Sequence, residues 1–250
     1  MRQSILNDAF FAGLDSSILP LQQAETLPPA CYTDPDFYEL EKEAVFNHEW
    51  LCLGRESDIP EPGDFFTAHI VDEPIIVVRN KKEEIRAMSA VCQHRAMLLA
   101  EGKGNKRAFR CPYHHWTYSL DGNLLKGPAM EETCDFVKED FNLPSFQVEI
   151  WLGFIFINFD ESAAPLAPRL EAVEKTIAGY DLASAEGIEP ETVIFPWNWK
   201  VQFENNNDGY HANRLYQGKN HDFCPSALCS FPVMPENTAG YTRVNGLTHK

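Results

Sequence analysis

The sequence predicts an α+β protein of two domains, in which a small antiparallel β sandwich or barrel is flanked by helical segments. Three observations predict this class. Short β-like segments, separated by Pro, Gly, Asp and Asn turn signals, run from about residue 50 to residue 160. Helical patterns precede and follow that series, and an Ala/Pro-rich linker occupies residues 161–168. Two domains joined near residue 160 are the simplest account of this order.

The segment before the β series begins as an irregular lead-in over residues 1–33 and continues as a helix. Asp34 is expected at the N-cap and Pro35 at the first helical position, where a missing N–H leaves no hydrogen bond unmade. The apolar residues that follow have helical spacing and form one stripe. Its members are Phe37, Leu40, Val45 and Phe46.

The β series contains six predicted strands, each a short run of apolar and β-branched residues bounded by turn signals. They are residues 50–53, 65–70, 75–79, 85–91, 146–150 and 153–159. After the linker the patterns predict a helix, a strand and a second helix. These are residues 169–180, residues 192–195 and a helix from Trp199 towards Leu215.

Length, charge and cysteine count exclude several classes of protein. A chain of 250 residues can bury a core without disulfide support, and a net charge of −16 argues against a nucleic-acid partner. The longest apolar run, residues 151–157, is too short to cross a membrane. The seven cysteines, an odd number without a regular framework, indicate a reducing compartment in which some bind metal. We expect a cytoplasmic protein.

Two short Cys/His pairs form the first chemical pattern. Cys92-x-His94 is separated by sixteen residues from Cys111-x-x-His114, and each pair stands at a turn in the β series. A structural zinc finger groups its two cysteines before its two histidines, whereas each pair here holds one of each. A Rieske [2Fe–2S] cluster takes two cysteines on one iron and two histidines on the other, which one pair per loop would suit. Zinc remains the alternative metal.

The first pattern continues as Cys111-Pro-Tyr-His114-x-Trp-x-Tyr-x-Leu-Asp-Gly and resembles the Rieske signature of the alpha subunits of Rieske non-haem iron oxygenases. The resemblance implies that the two cysteines bind one iron of a [2Fe–2S] cluster and the two histidines the other. His115 does not fit the family spacing and is expected to be a neighbour of the cluster.

The same resemblance implies a domain organisation. Residues 46–160 would form the Rieske domain, and residues 1–45 would pack with a catalytic domain at 161–250. That catalytic domain would be of the helix-and-antiparallel-sheet, helix-grip-like type and incomplete at its C-terminus.

A second pattern surrounds Asp208 and His211, which lie three residues apart and so would share one face of a helix. A carboxylate in this position can orient a metal-bound imidazole. The stretch Glu204-Asn205-x-x-Asp208-x-Tyr-His211 resembles the mononuclear iron motif of the same oxygenases. The resemblance implies that His211 binds Fe(II) and that Asn205 is a catalytic residue. Asp208 would bridge to His114 of a neighbouring chain in a ring-shaped homotrimer, and Glu204 is the alternative carboxylate.

The second pattern departs from the family at the next ligand. Tyr216 stands where a second histidine is expected, and a phenolate is a poorer ligand for ferrous iron. His221, ten residues after His211, is a possible substitute. The family's third ligand, a downstream carboxylate, has no counterpart before Lys250.

The residues between the two Cys/His pairs carry a local charge of +4 within an acidic protein, so the remainder of the chain carries −20. The charge could merely keep a turn soluble. Alternatively, a basic collar around the cluster docks an acidic ferredoxin or a flavin reductase. The basic collar consists of Arg95, Lys103, Lys106, Arg107 and Arg110.

These patterns together predict the oxygenase component of a multicomponent Rieske system, a mono- or dioxygenase. It would use O2 and electrons from a reductase to hydroxylate or demethylate a small substrate, either an aromatic or a quaternary ammonium compound. Tyr216 keeps one alternative open, a Rieske electron-transfer protein with a degenerate mononuclear site. A zinc-stabilised binding module is the third hypothesis.

Overall fold

The structure is a computed structural model that describes residues 4–20, 22–130, 132–187, 192–207 and 211, and the backbone of two short strands further on. The chain divides into two compact units. One consists of residues 1–41, 167–179 and 191–250, and the other of residues 42–166 and 180–190. The sequence-based boundaries at residues 46 and 160 stay predictions.

The described helices lie before and after the β series, and two of them fall within residues 1–33, which were predicted to be irregular. They are α1 (Asp8–Ala12), α2 (Ala30–Thr33), α3 (Pro35–Glu41), α4 (Leu166–Ile177) and α5 (Trp199–Asn207), and α3 continues as π-helix over Lys42–Phe46. Short 3-10 turns occupy Asp15–Ile18, Glu56–Asp58 and Lys138–Phe141. The Asp34 carboxylate accepts a hydrogen bond of 2.9 Å from the Asp36 N–H, which confirms its predicted position at the start of α3. Among the described residues no helix is long and apolar enough to span a bilayer.

Ten strands form the β unit. They are β1 (Leu51–Arg55), β2 (Asp64–Ile70), β3 (Glu73–Arg79), β4 (Ile85–Ser89), β5 (Lys103–Asn105), β6 (Phe109–Arg110), β7 (Thr117–Tyr118), β8 (Leu124–Lys126), β9 (Ser145–Trp151) and β10 (Phe154–Asn158). Seven of them pair in the order β1-β10-β9-β4-β3-β2-β5, and β6-β7-β8 form a second sheet. Every pair is antiparallel. All six predicted strands are present. In the other unit β11 (Cys229–Ser230) pairs with β12 (Arg243–Val244).

Strand β3 separates two hydrophobic cores because both of its faces are buried. Ile75 and Val77 belong to one core, with residues of β1 and β10. Ile76 and Val78 point the opposite way and belong to the second core, which contains Cys92 and the short strands β6 to β8. This alternation follows from the two-residue period of a strand. The candidate metal site is therefore built on one face of the larger sheet.

Two further sequence predictions are corrected, and a third is tested only in part. Residues 192–195 form no strand; Ile194 is 91% exposed, and none of the described strands pairs with this segment to supply the hydrogen bonds that a β ladder needs. The helix predicted at 169–180 is Leu166–Ile177. The last predicted helix does begin at Trp199 and is described as far as Asn207, and the rest of that prediction lies outside the described residues.

A buried arginine joins distant parts of the β unit. Arg55, only 9% exposed, lies over the Phe154 ring with its guanidinium carbon 4.4 Å from the ring centroid. Its Nη2 donates a hydrogen bond of 2.5 Å to the Leu182 carbonyl. Gly153 has φ +80°, and a Cβ there would stand 2.6 Å from the same nitrogen. Glycine is required at this turn because only it allows both the backbone conformation and the close approach.

Candidate metal site

Two loops of the same design present the Cys/His pairs. The first loop, Cys92–Met97, is closed by a β-bridge between Val91 and Leu98. The second loop, Cys111–Trp116, is closed by the pairing of β6 with β7. In each loop the N–H of the cysteine donates to the carbonyl of the loop's last residue, at 2.9 Å in the first loop and 2.8 Å in the second. The backbone therefore holds both cysteines at the same point of a hairpin tip.

Both loops also place a residue with a side chain in the left-handed region. Ala96 has φ +54° and His115 has φ +62°. The N–H of each donates a hydrogen bond of 3.0 Å to the carbonyl of the cysteine that opens its loop. This conformation costs about 1–2 kcal/mol for a residue other than glycine. His115, expected to be a neighbour of the cluster, is thus a strained turn residue of the second loop.

The two thiols are the buried part of the site. Cys92 is 2% and Cys111 1% exposed, and the two interact electrostatically. Burial raises the pKa of the Cys92 thiol, an effect that the Tyr118 hydroxyl, 3.5 Å from its Sγ, opposes. The same hydroxyl accepts a hydrogen bond from the Gln93 N–H at 3.1 Å. Tyr118 is fully buried, and burial raises its pKa.

The two imidazoles lie on the outer side of the site. The ring centroids of His94 and His114 are 4.6 Å apart, with the planes at 73°. His94 stacks on the Trp116 indole at 4.8 Å and 7°, and Tyr113 covers His114 at 3.7 Å. Desolvation lowers the pKa of His94. The Nδ1 of His114 is buried and has no hydrogen-bond partner.

These observations fit a [2Fe–2S] cluster. An orphaned buried imidazole nitrogen is unfavourable unless it binds something. His114 stands beside a second imidazole and shares its loop with the buried Cys111. Such a donor set supplies two soft ligands and two nitrogen ligands, as a Rieske cluster requires. In the described residues no three or more His, Cys, Asp or Glu side chains are grouped so as to hold one ion. Each iron of the cluster needs only two protein ligands.

The second sequence pattern is only partly described. Asn205 lies on α5 and is exposed, and His211 follows in a turn. Glu204 accepts a hydrogen bond of 2.6 Å from the Tyr32 hydroxyl, whose pKa burial raises to about 12. Three further residues of the predicted site lie outside the described residues. They are Asp208, Tyr216 and His221.

The start of α5 is anchored by a buried ion pair. The Nζ of Lys200 and the Glu41 carboxylate are 2.6 Å apart, and both side chains are 8% exposed. The rings of Tyr32, Phe37 and Trp199 surround the ammonium with centroids 5.3–5.5 Å away. Lys200 and Glu204 are one helical turn apart, so the same face of α5 makes both contacts.

The predicted basic collar is mostly exposed. Arg95 lies at the site itself, with its guanidinium carbon 5.7 Å from the centre of the Tyr113 ring. Lys106 packs over the rings of Phe65 and Phe109 at 5.4 and 5.9 Å. The exposed members are Arg95, Lys103, Arg107 and Arg110.

Sequence reasoning missed the roles of Tyr118 and Trp116. Both belong to the quoted motif, in which Trp116 lies two residues and Tyr118 four residues after His114. Their spacing after the second cysteine was the available signal. Which of them contacts the thiol and which the imidazole depends on how the second loop folds over the first.

Comparison with known proteins supports a [2Fe–2S] cofactor. A family model described as the Rieske [2Fe-2S] domain matches residues 49–147. The oxygenase subunit of carnitine monooxygenase from Acinetobacter baumannii is 36% identical over 78% of this chain and 53% of its own length. That of glycine betaine monooxygenase from Chromohalobacter salexigens is 35% identical, over 84% and 48%. The alpha subunit of benzene 1,2-dioxygenase from Pseudomonas putida is 37% identical, over 76% and 44%.

Solved structures confirm the α+β fold class. A quaternary ammonium Rieske monooxygenase in its apo form superposes with a TM-score of 0.74 at 31% identity, over 84% of this chain and 59% of that one. Naphthalene 1,2-dioxygenase from Rhodococcus sp. gives 0.77 at 29% identity, over 88% and 52%. The chain spans about half the length of the curated relatives that it matches.

Proposed function

This chain belongs to the Rieske oxygenase family, and on that premise we propose that it is the oxygenase component of a multicomponent Rieske system. It would use O2 and reductase-supplied electrons to hydroxylate or demethylate a small organic substrate. Relatives named for carnitine and glycine betaine support a quaternary ammonium substrate, and the benzene dioxygenase relative supports an aromatic one.

The observation that carries the proposal is the convergence of the two loops. Cys92 and Cys111 would hold one iron, and His94 and His114 the other. Bound there, a [2Fe–2S] cluster accepts and gives up single electrons. The chain's own part is to bury the thiols, to place the Tyr118 hydroxyl against the Cys92 sulfur and to leave His94 exposed at the surface.

The family also carries a mononuclear iron, and we assign its first ligand to His211. Tyr216 occupies the position of the second histidine, and His221 is the substitute. Asp208 would contact His211 of its own chain and His114 of the next, which requires a homotrimer, while Asn205 would lie beside the iron. Asp208→Asn is expected to leave both metal sites filled and to stop turnover. Normal turnover by this variant would exclude the bridge.

The electron donor is proposed to dock on the basic collar. A ferredoxin or flavin reductase with an acidic face would be steered there by the local positive charge. Reversing Lys106 and Arg107 to glutamate should slow cluster reduction at low salt and flatten its dependence on ionic strength. An unchanged rate and salt dependence would exclude this docking site.

Iron analysis tests the whole proposal. The anaerobically purified, dithionite-reduced protein should show the EPR signal of a Rieske cluster and contain three irons per chain, because the oxygenase needs both metal sites. Two irons per chain with the same signal would instead identify the electron-transfer protein that Tyr216 keeps open. Zinc without iron would identify the binding module and overturn the proposal.

We also propose that the protein is located in the cytoplasm. The five described cysteines are free thiols, and free thiols persist where the compartment is reducing.

A further inference from the structure

The exposed histidine of the site is held by the other loop. His94 belongs to the first loop and is itself solvent-exposed, whereas the ring that stacks on it, Trp116, closes the second loop and is 1% exposed. The two rings are nearly parallel, with 4.8 Å between their centroids and 7° between their planes. A buried indole therefore fixes the plane of an exposed imidazole.

Trp116 is in turn enclosed by aromatic rings from a third segment. Phe136 meets its edge at 5.7 Å and Phe141 at 5.4 Å, and these two rings stack on each other at 5.1 Å. The backbone also approaches closely, since a Cβ on Gly127 would be 3.4 Å from the indole. Trp116 cannot turn without displacing these neighbours, because side chains in a packed core move only when others make room.

We propose that Trp116 is the positioning residue for His94 and that Phe136 and Phe141 act on His94 through it. This inference rests on the proposed [2Fe–2S] site. A ligand whose plane is fixed in advance binds its iron in one orientation. The negative face of the indole also favours the more positive, oxidised state of whatever the imidazole binds.

Four variants of the whole chain test the inference. Trp116→Leu removes the ring that stacks on His94, and Trp116→Phe replaces it with a smaller ring. Phe141→Leu keeps the Trp116 indole but removes a phenyl ring that packs against it. Phe65→Leu is the matched control, because Phe65 is buried in the same core and its ring packs on Phe109. The measurements are the EPR line positions of the reduced cluster, its reduction potential, the rate of cluster loss to a chelator, and the melting temperature.

Trp116→Leu should raise the reduction potential, shift and broaden the EPR lines, and speed cluster loss roughly 2- to 10-fold, the range that one aromatic contact accounts for. Trp116→Phe and Phe141→Leu should change the same quantities less. Phe65→Leu should lower the melting temperature and leave the EPR lines and the potential unchanged.

Two results would overturn the inference. One is a wild-type potential and EPR spectrum in Trp116→Leu with the cluster retained, and the other is an equal shift in Phe65→Leu. If Trp116→Leu retains no cluster, the same criteria apply to Trp116→Phe and Phe141→Leu. Absence of any Rieske signal in the wild-type protein would instead refute the proposed function itself.

Discussion

The two loops of the metal site share a backbone design and differ in what surrounds their side chains. Both close with the same pair of hydrogen bonds and both carry a strained residue at the fifth position, Ala96 or His115. Only the first loop's thiol meets the Tyr118 hydroxyl. Only the second loop's histidine has a buried, unpartnered nitrogen.

This difference separates two requirements of the site. Holding ligands in place is a property of the backbone, and the two loops meet it alike. The electronic properties of each ligand depend on the neighbouring side chains, and these differ between the two loops. Substitutions that act on the shared backbone or on the ligands themselves should therefore have equal effects in the two loops. Substitutions of the side chains around the ligands should have different effects.

The largest effect is expected from the thiols. Cys92→Ser and Cys111→Ser should each lose both irons of the cluster, because a hydroxyl is a far weaker iron ligand than a thiolate. The measurement is iron per chain together with the EPR signal. Cys134→Ser, which changes an exposed free cysteine of the same unit, should keep the wild-type values. Retention of the cluster by either the Cys92 or the Cys111 variant would contradict the prediction that the two thiols are equally required.

A smaller effect, confined to the first loop, is expected from Tyr118→Phe. The hydroxyl lies 3.5 Å from the Cys92 sulfur, and a hydrogen bond to a ligand sulfur favours the reduced cluster, which carries more negative charge. Its loss should lower the reduction potential, measured by a titration monitored by EPR. Tyr113→Phe is the control, since that hydroxyl belongs to an exposed residue whose ring covers His114. A potential that stays unchanged in Tyr118→Phe would contradict this assignment.

The smallest effects should come from the strained positions. Ala96→Gly and His115→Gly should each stabilise the protein by about 0.5–1 kcal/mol, because relief of the left-handed conformation exceeds the entropy that glycine adds to the unfolded chain. Thermal unfolding of the cluster-loaded protein measures this. His115→Ala keeps the strain and should not stabilise. Unequal gains in the two loops would show that their backbones differ after all.

The sequence predicted the long strands well because their burial alternates over enough residues to be seen. Strand β3 shows this clearly, with Ile75 and Val77 on one face and Ile76 and Val78 on the other. Strands β6 and β7 are two residues long, which is too short for any period, so they were missed. Residues 192–195 were wrongly predicted as a strand because their apolar content suits a β ladder, whereas none of the described strands pairs with them.

The candidate ligands could be named from spacing alone, and their surroundings could not. Cys92 and His114 belong to two Cys/His pairs, and few kinds of site other than a metal centre call for such paired spacings. The contact between Tyr118 and Cys92 joins residues 26 positions apart, and no local pattern encodes it. The left-handed conformation of His115 was equally hidden, because sequence patterns signal that conformation mainly through glycine or asparagine.

The contact between Arg55 and the Leu182 carbonyl has a consequence for the order in which the β unit is completed. The two residues are 127 positions apart, so a growing chain presents the arginine long before its acceptor has been synthesised. Until then the guanidinium must stay hydrated or find other acceptors. A shortened gene that ends near residue 166 would encode every strand of the larger sheet and leave this cation without its shortest hydrogen bond. One that extends past residue 187 should express the unit in a more soluble and protease-resistant form.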